Sequence, residues 1–339
     1  MFLQLRVIPF CLSLSPQPSN YVPKRIIAFR KYTRERPQIS RSRSSFGDGV
    51  SVFVVSDLHT DYPENMTWVK SLSSKRHNKK DVLLVAGDVA ETCSNFFFTM
   101  SLLKDTFQHV FYVPGNHDLW CRWDQDRCLD SLEKLNKLLD ACRILGVETT
   151  PMILDGLGII PLFSWYHEVI VPQFSIFLLM LANIALAYLF YRVLIERRTS
   201  LASEYRPWKW QELCPEKRML FYPNLPKIIG SDCLEDRIRL IHGTTANASM
   251  CHVFGHTHFC WDAMLDGVRY VQAPLAYPRE RKRRMNGGET WLPFCIYADG
   301  KFAERLSPCY WSDYYAANPR EPHNSELAPW VARFYNRLQ

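Results

Sequence analysis

No Cys-x-x-Cys pair occurs in the chain, although it carries eleven cysteines, an odd number scattered along its length. That pattern argues against a disulfide framework, gives no support to cysteine as a zinc ligand, and fits a reducing compartment. A basic surface for polyanions is missing as well. The formal charge of +7 is concentrated in residues 1–50, where nine Lys and Arg stand against Glu35 and Asp48. The rest of the chain carries 32 basic and 32 acidic residues, so no nucleic-acid partner is indicated. No internal repeat or low-complexity stretch follows residue 50. A clean secretory signal is lacking too, because Arg6 interrupts the first apolar stretch.

Residues 1–50 are instead rich in Arg and Ser, poor in acid, and broken by Pro16, Pro18, Pro23 and Pro37. This is the composition of a transit peptide, and it predicts an organelle location, plastid or mitochondrion. A disordered basic tail on a cytoplasmic or membrane-associated protein is the alternative. With 339 residues and 47% hydrophobic content, the chain can bury one large core or two small ones.

One stretch organises the remainder. Leu83-Leu84-Val85-Ala86 is a short unbroken apolar run, the pattern of a strand buried on both faces, and it ends abruptly in Gly87-Asp88. The same grammar recurs. Val52–Ser56 ends in Asp57-Leu58-His59, Val110–Pro114 in Gly115-Asn116-His117-Asp118, and Val253-Phe254 in Gly255-His256-Thr257-His258. A single Asp after a strand is ordinarily a cap for the next helix. Four strands that each end in carboxylate, amide or imidazole groups point to one ligand-binding edge, where open α/β sheets hold their ligands.

Between these motifs the periodicity predicts helices from Pro63 to about Ser73, over Asn95–Thr106 and over Cys128–Leu145, then a strand over Gly158–Trp165. A helix around Leu234–Ile241, strands at Gly267–Val271 and Phe294–Ala298, and a last helix over Pro329–Leu338 complete the pattern. Such alternation implies mostly parallel sheets covered by helices. It is broken by Val169–Tyr191, 23 residues without a charge, followed by Arg192, Arg197 and Arg198. Length and flanks make 169–191 a membrane-span candidate. A span there would put ligands before residue 118 and after residue 256 on opposite sides of a roughly 30 Å apolar layer, and one site cannot be assembled that way. The segment is then re-entrant, an anchoring insertion, or foreign to the domain.

Carboxylate, amide and imidazole ligands suit divalent Mn, Fe, Zn or Mg. Paired metals need a shared ligand, which a carboxylate supplies, and such pairs serve in-line displacement at phosphorus. At this point Asp57-x-His59, Gly87-Asp88, Gly115-Asn116-His117-Asp118 and Gly255-His256-x-His258 together resemble the calcineurin-like metallophosphoesterase superfamily, over roughly residues 51–300. The resemblance implies an α/β fold, a four-layer αββα sandwich. It also implies two divalent metal ions and hydrolysis of a small phosphomonoester or phosphodiester by metal-activated hydroxide. By that likeness Asp57, His59 and His258 hold one metal, Asn116 and His256 the other, and Asp88 bridges them. His117 faces the leaving group and Asp118 orients it.

Two departures from the family pattern stand out. The protein Ser/Thr phosphatase branch has an arginine shortly after its Gly-Asp motif, where this chain has Val89-Ala90-Glu91, which disfavours a phosphoprotein substrate. The family also supplies a further histidine between the Asn-His and Gly-His-x-His motifs, and between residues 118 and 251 only His167 and His242 occur. A catalytically impaired variant, or a membrane-associated binding protein, is therefore the competing reading. The expected organisation is a leader (1–50), one phosphoesterase domain (51–168 and 211–310), an apolar insert (169–210) and a C-terminal extension (311–339). Specificity is expected from Trp120–Asp126, Trp165–Glu168 and the basic run Arg279–Arg284, although such a run is more often a solvated loop.

Overall fold

The apolar runs become strands whose carboxyl ends meet at one edge. The computed structural model describes residues 49–72, 81–121, 130–164, 212–222, 232–242, 250–281, 292–303 and 309–336. These all belong to one compact unit, Arg41–Gln339. β1 (Ser51–Ser56), β2 (Asp81–Ala86) and β3 (His109–Val113) are parallel neighbours in register Ser51 to Asp81 and Val82 to His109. On the other side of β1 lies β9 (Phe294–Ala298), antiparallel to it, and then β10 (Lys301–Phe302), antiparallel to β9. They form a hairpin turned at Asp299-Gly300, where both residues have positive φ.

The second sheet has three strands, β6 (Met250–Phe254), β7 (Trp261–Leu265) and β8 (Val268–Gln272), in the order β6-β8-β7. Its side chains alternate with period two. Cys251, Val253 and Val271 join the core shared with the first sheet, whereas Met250, Phe254, Val268 and Tyr270 join a second core. Helices α1 (Pro63–Leu72), α2 (Cys93–Thr106) and α3 (Ser131–Leu145) pack on the first sheet. The second core is closed by Ile238 of helix Asp232–His242, Trp311 of helix Tyr310–Ala317 and Val331 of helix Pro329–Asn336. The result is the expected four-layer αββα arrangement. Trp311, Ala328 and Val331 are buried, so residues 311–336 complete this second core rather than trail from the domain.

Local chemistry explains the helix ends. Thr92 caps α2 by accepting from Asn95 N–H, Asp130 caps α3 through Glu133 N–H, and Gly146 ends α3 in the left-handed conformation. Phe96, Met100 and Leu103 recur along α2 and are fully buried, each side chain contributing about 1.5–3 kcal/mol. The strand expected over Gly158–Trp165 is shorter. Asp155-Gly156 turns the chain into a small hairpin, β4 (Met152–Leu154) with β5 (Leu157–Ile159), and residues 160–164 pair with no strand. Residues 165–211 lie outside the described residues, as do residues 1–48, so the leader, His167 and the 169–191 segment carry no structural account. Among the described residues no helix is long and apolar enough to cross a membrane.

Candidate metal centre

The turns after β1, β2, β3, β6 and β8 converge on one point. Asp57 and His59 follow β1, Asp88 follows β2, Asn116 and His117 follow β3, and His256 and His258 follow β6. The backbone there is strained. Asp57, His59, Asp88, His256 and His258 all have positive φ, between 44° and 91°. Each such non-glycine residue costs about 1–3 kcal/mol and persists only where surroundings hold it. Here they do. His59 N–H donates to Asp88 carbonyl (2.9 Å), His256 N–H to Asp57 Oδ1 (2.7 Å) and His117 N–H to Asp88 Oδ1 (2.8 Å). The glycines permit this closeness. A Cβ on Gly115 would collide with the Asp88 carboxylate and backbone, and one on Gly255 with the Ala86 carbonyl.

Asp57, His59, Asp88 and His258 each offer one donor atom, all within 4.8 Å of one another. His59 Nε2 and His258 Nε2 face each other at 2.9 Å, an arrangement that a shared proton or a shared cation satisfies. The electrostatics favour a cation. Burial pushes Asp88 well above the usual carboxylate range, and the Asp118 and Asp57 carboxylates push it the same way. Asp88 Oδ2 is buried and makes no hydrogen bond among the described residues. Burial holds His59 far below an ordinary imidazole, with His258 and His117 adding to it. Burial also lowers His258, but the Glu280 hydrogen bond and the charges of Asp57, Glu280 and Asp88 outweigh it and raise this ring to about 9. A buried carboxylate oxygen without a donor, between imidazoles, is the environment a divalent metal neutralises. The residues fit such an ion.

Asn116 and His256, the expected second ligand set, also lie together, with His256 Nδ1 2.9 Å from Asn116 Oδ1. His117 sits beside them, its ring 4.9 Å from His59 and tilted against Trp120 at 3.7 Å. The expectation for Asp118 is corrected. Its carboxylate accepts from Val89, Ala90 and Gly115 N–H and from the Tyr112 hydroxyl, so its acceptor capacity is spent on the backbone that shapes the site. The His117 ring is held instead by Glu91, whose Oε1 lies 3.1 Å from Nδ1. Burial lowers the His117 pKa from its ordinary value, and Glu91 works against that shift.

Several functional positions escaped the sequence reading. Glu91 stands three residues after Asp88, within a stretch noted only for its missing arginine. Glu280 Oε2 lies 2.8 Å from His258 Nδ1 and fixes the second nitrogen of that ring. Arg281, expected on a solvated loop, is buried, and its Nη1 donates to Asn65 Oδ1 and to the Leu275 and Ala276 carbonyls. Tyr277 packs its ring at 4.4 Å from His59 and 4.8 Å from His258. Alternating charge in the run Arg279-Glu280-Arg281 was the available signal. Of the expected specificity loops, residues 122–126, 165–168 and 282–284 lie outside the described residues. So do His167 and the His242 side chain, the two candidates for the further histidine.

A strand-edge cluster of this composition, on two facing sheets between helical layers, defines a metallophosphoesterase. The match to the calcineurin-like phosphoesterase family model covers residues 50–260, and the chain belongs to that family, a hydrolase of phosphate ester bonds. It is 27% identical over 336 aligned positions to the acyl-carrier-protein phosphodiesterase PptH of Mycobacterium tuberculosis, covering 88% of this chain and 96% of that protein. The crystal structure of phosphopantetheinyl hydrolase (PptH) from Mycobacterium tuberculosis is also similar. It has 23% identity and a TM-score of 0.49, with 75% of this chain and all of that one covered.

Proposed function

We propose that this chain hydrolyses a phosphodiester at a centre of two divalent metal ions. The observation that carries the reading is the buried, donor-less Oδ2 of Asp88 beside the Asp57, His59 and His258 donor atoms. Asp57, His59 and His258 would hold one ion, Asn116 and His256 the other, and Asp88 would bridge them. When bound, the ions polarise the phosphoryl group and make water nucleophilic near neutral pH. Water gives up a proton to solvent as its oxygen forms the new bond to phosphorus, the bond to the leaving oxygen breaks, and that oxygen keeps the electron pair. His117 Nε2 delivers its proton, while Glu91 holds Nδ1 and keeps the ring aimed. Asp118 braces the two turns that carry Asp88 and His117.

The Mycobacterium tuberculosis relative is by name an acyl-carrier-protein phosphodiesterase, which supports a phosphodiester over a phosphomonoester and makes acyl-carrier protein the first substrate to try. The domain that accompanies this reading takes in residues 51–168 and 211–336 around the 169–210 segment, since Trp311 and Val331 help close its second core.

The test is elemental analysis of the full chain after loading with Mn²⁺, with hydrolysis of bis-p-nitrophenyl phosphate, p-nitrophenyl phosphate and acyl-carrier protein. Two metals per chain and turnover of the diesters, abolished by a chelator, are expected. One metal or none, with no turnover, overturns the proposal in favour of a binding protein with an incomplete centre.

A further inference from the structure

The segment after β8 does more than close the sheet. Leu275 N–H donates to the Ser56 carbonyl and Ala276 N–H to the Asp57 carbonyl, both at 2.9 Å, which ties it to the first ligand turn. Ala276 has φ +59°, a strained geometry held by Asn65 and Arg281, both of which donate to its carbonyl. Tyr277 N–H in turn donates to Glu280 Oε2, the carboxylate that fixes His258. The backbone of Ala276 and of Tyr277 itself is therefore tied down, and the Tyr277 ring is walled in by His59, His258 and Tyr62.

What this rigidity positions is the phenol oxygen. It lies 3.4 Å from His117 Nε2, the ring nitrogen that Glu91 does not hold. That separation exceeds a good O–H···N bond, about 2.7–3.2 Å, so the hydroxyl proton is not committed to the imidazole. Two groups 3.4 Å apart admit a single oxygen within hydrogen-bonding reach of both. Ring packing alone needs no hydroxyl, since phenylalanine would fill the same wall.

We propose that Tyr277 is a catalytic residue of this phosphoesterase, its hydroxyl donating a hydrogen bond to the leaving-group oxygen beside His117. The proposal rests on the phosphoesterase reading above and deepens it. As the phosphorus–oxygen bond breaks, negative charge grows on that oxygen. Tyr277 stabilises it by a hydrogen bond without giving up its proton, and His117 supplies the proton that stays with the product alcohol. A preorganised donor at such a point is worth about 10²–10³-fold in rate. The segment lies beyond residue 260, where the family match ends.

The experiment compares wild type and Tyr277→Phe, both as Mn²⁺-loaded full chains, across diesters whose leaving groups run from nitrophenol through phenol to an alkyl alcohol. Metal content and vanadate affinity are measured alongside. A good leaving group needs little help, so kcat on the nitrophenyl ester is expected within about threefold of wild type. The alkyl ester should lose about 10²-fold, at unchanged KM and metal content. Vanadate, which offers an oxygen at the same point, should bind about tenfold more weakly. Equal losses across the series, no loss, or loss of metal from the variant would overturn the proposal and leave Tyr277 as wall. A wild type that binds vanadate but turns nothing over would sink the phosphoesterase reading, and the vanadate comparison would still decide on Tyr277.

Discussion

Glu91 Oε1 lies 3.1 Å from His117 Nδ1, so the carboxylate that holds this ring comes from the turn after β2 rather than from neighbouring Asp118. Glu91 opposes the downward shift that burial imposes on this ring. The active form of a proton donor is the protonated ring, so activity falls as pH rises through its pKa. Replacing Glu91 with Gln removes a raising influence. The falling limb of the kcat–pH profile is therefore expected at lower pH, with kcat at neutral pH reduced about 10–10²-fold. Steady-state kinetics over the pH range checks this, and an unshifted limb would return the role to another group.

In the proposed centre Asp88 bridges the two ligand sets. Asp88→Asn keeps the shape but removes the bridging charge. Activity is expected to fall about 10³-fold, equivalent to several kcal/mol of lost charge stabilisation. Metal content by elemental analysis should fall with it.

Glu280 holds His258 Nδ1 at 2.8 Å and, in the proposed centre, acts through that ring. Glu280→Gln should weaken metal affinity about 10–100-fold while leaving the saturated rate close to wild type. Titration of apoprotein with Mn²⁺, followed by kcat at saturating metal, separates the two effects.

Asp262 and Arg269 form a buried two-pronged pair across β7 and β8, at 2.7 and 2.8 Å. Asp262→Ala strands a buried guanidinium and is expected to destabilise the chain by about 3–5 kcal/mol. Urea unfolding would show it. Neither residue belongs to the donor group of the metal centre, so metal affinity should hold below the unfolding transition.

The four ligand-bearing turns were legible in the primary structure because each is local. An apolar run predicts a buried strand, a glycine predicts the sharp exit, and the donor type follows within three residues. The order of helices followed from the same periodicities, while the four-layer arrangement was implied by the family resemblance. The partners of these ligands were not legible, because they come from distant turns. Glu91 reaches His117 across 26 residues, Glu280 reaches His258 across 22, and Tyr277 reaches His117 across 160. Sequence proximity favoured Asp118 for the first of these roles. The backbone amides of Val89, Ala90 and Gly115 claimed its carboxylate because a buried acceptor takes the nearest donors in space. The sequence by itself therefore determined which donor groups gather and at which sheet edge. Only the tertiary structure decided which second groups aim them, since side-chain direction depends on packing between segments that no local pattern records.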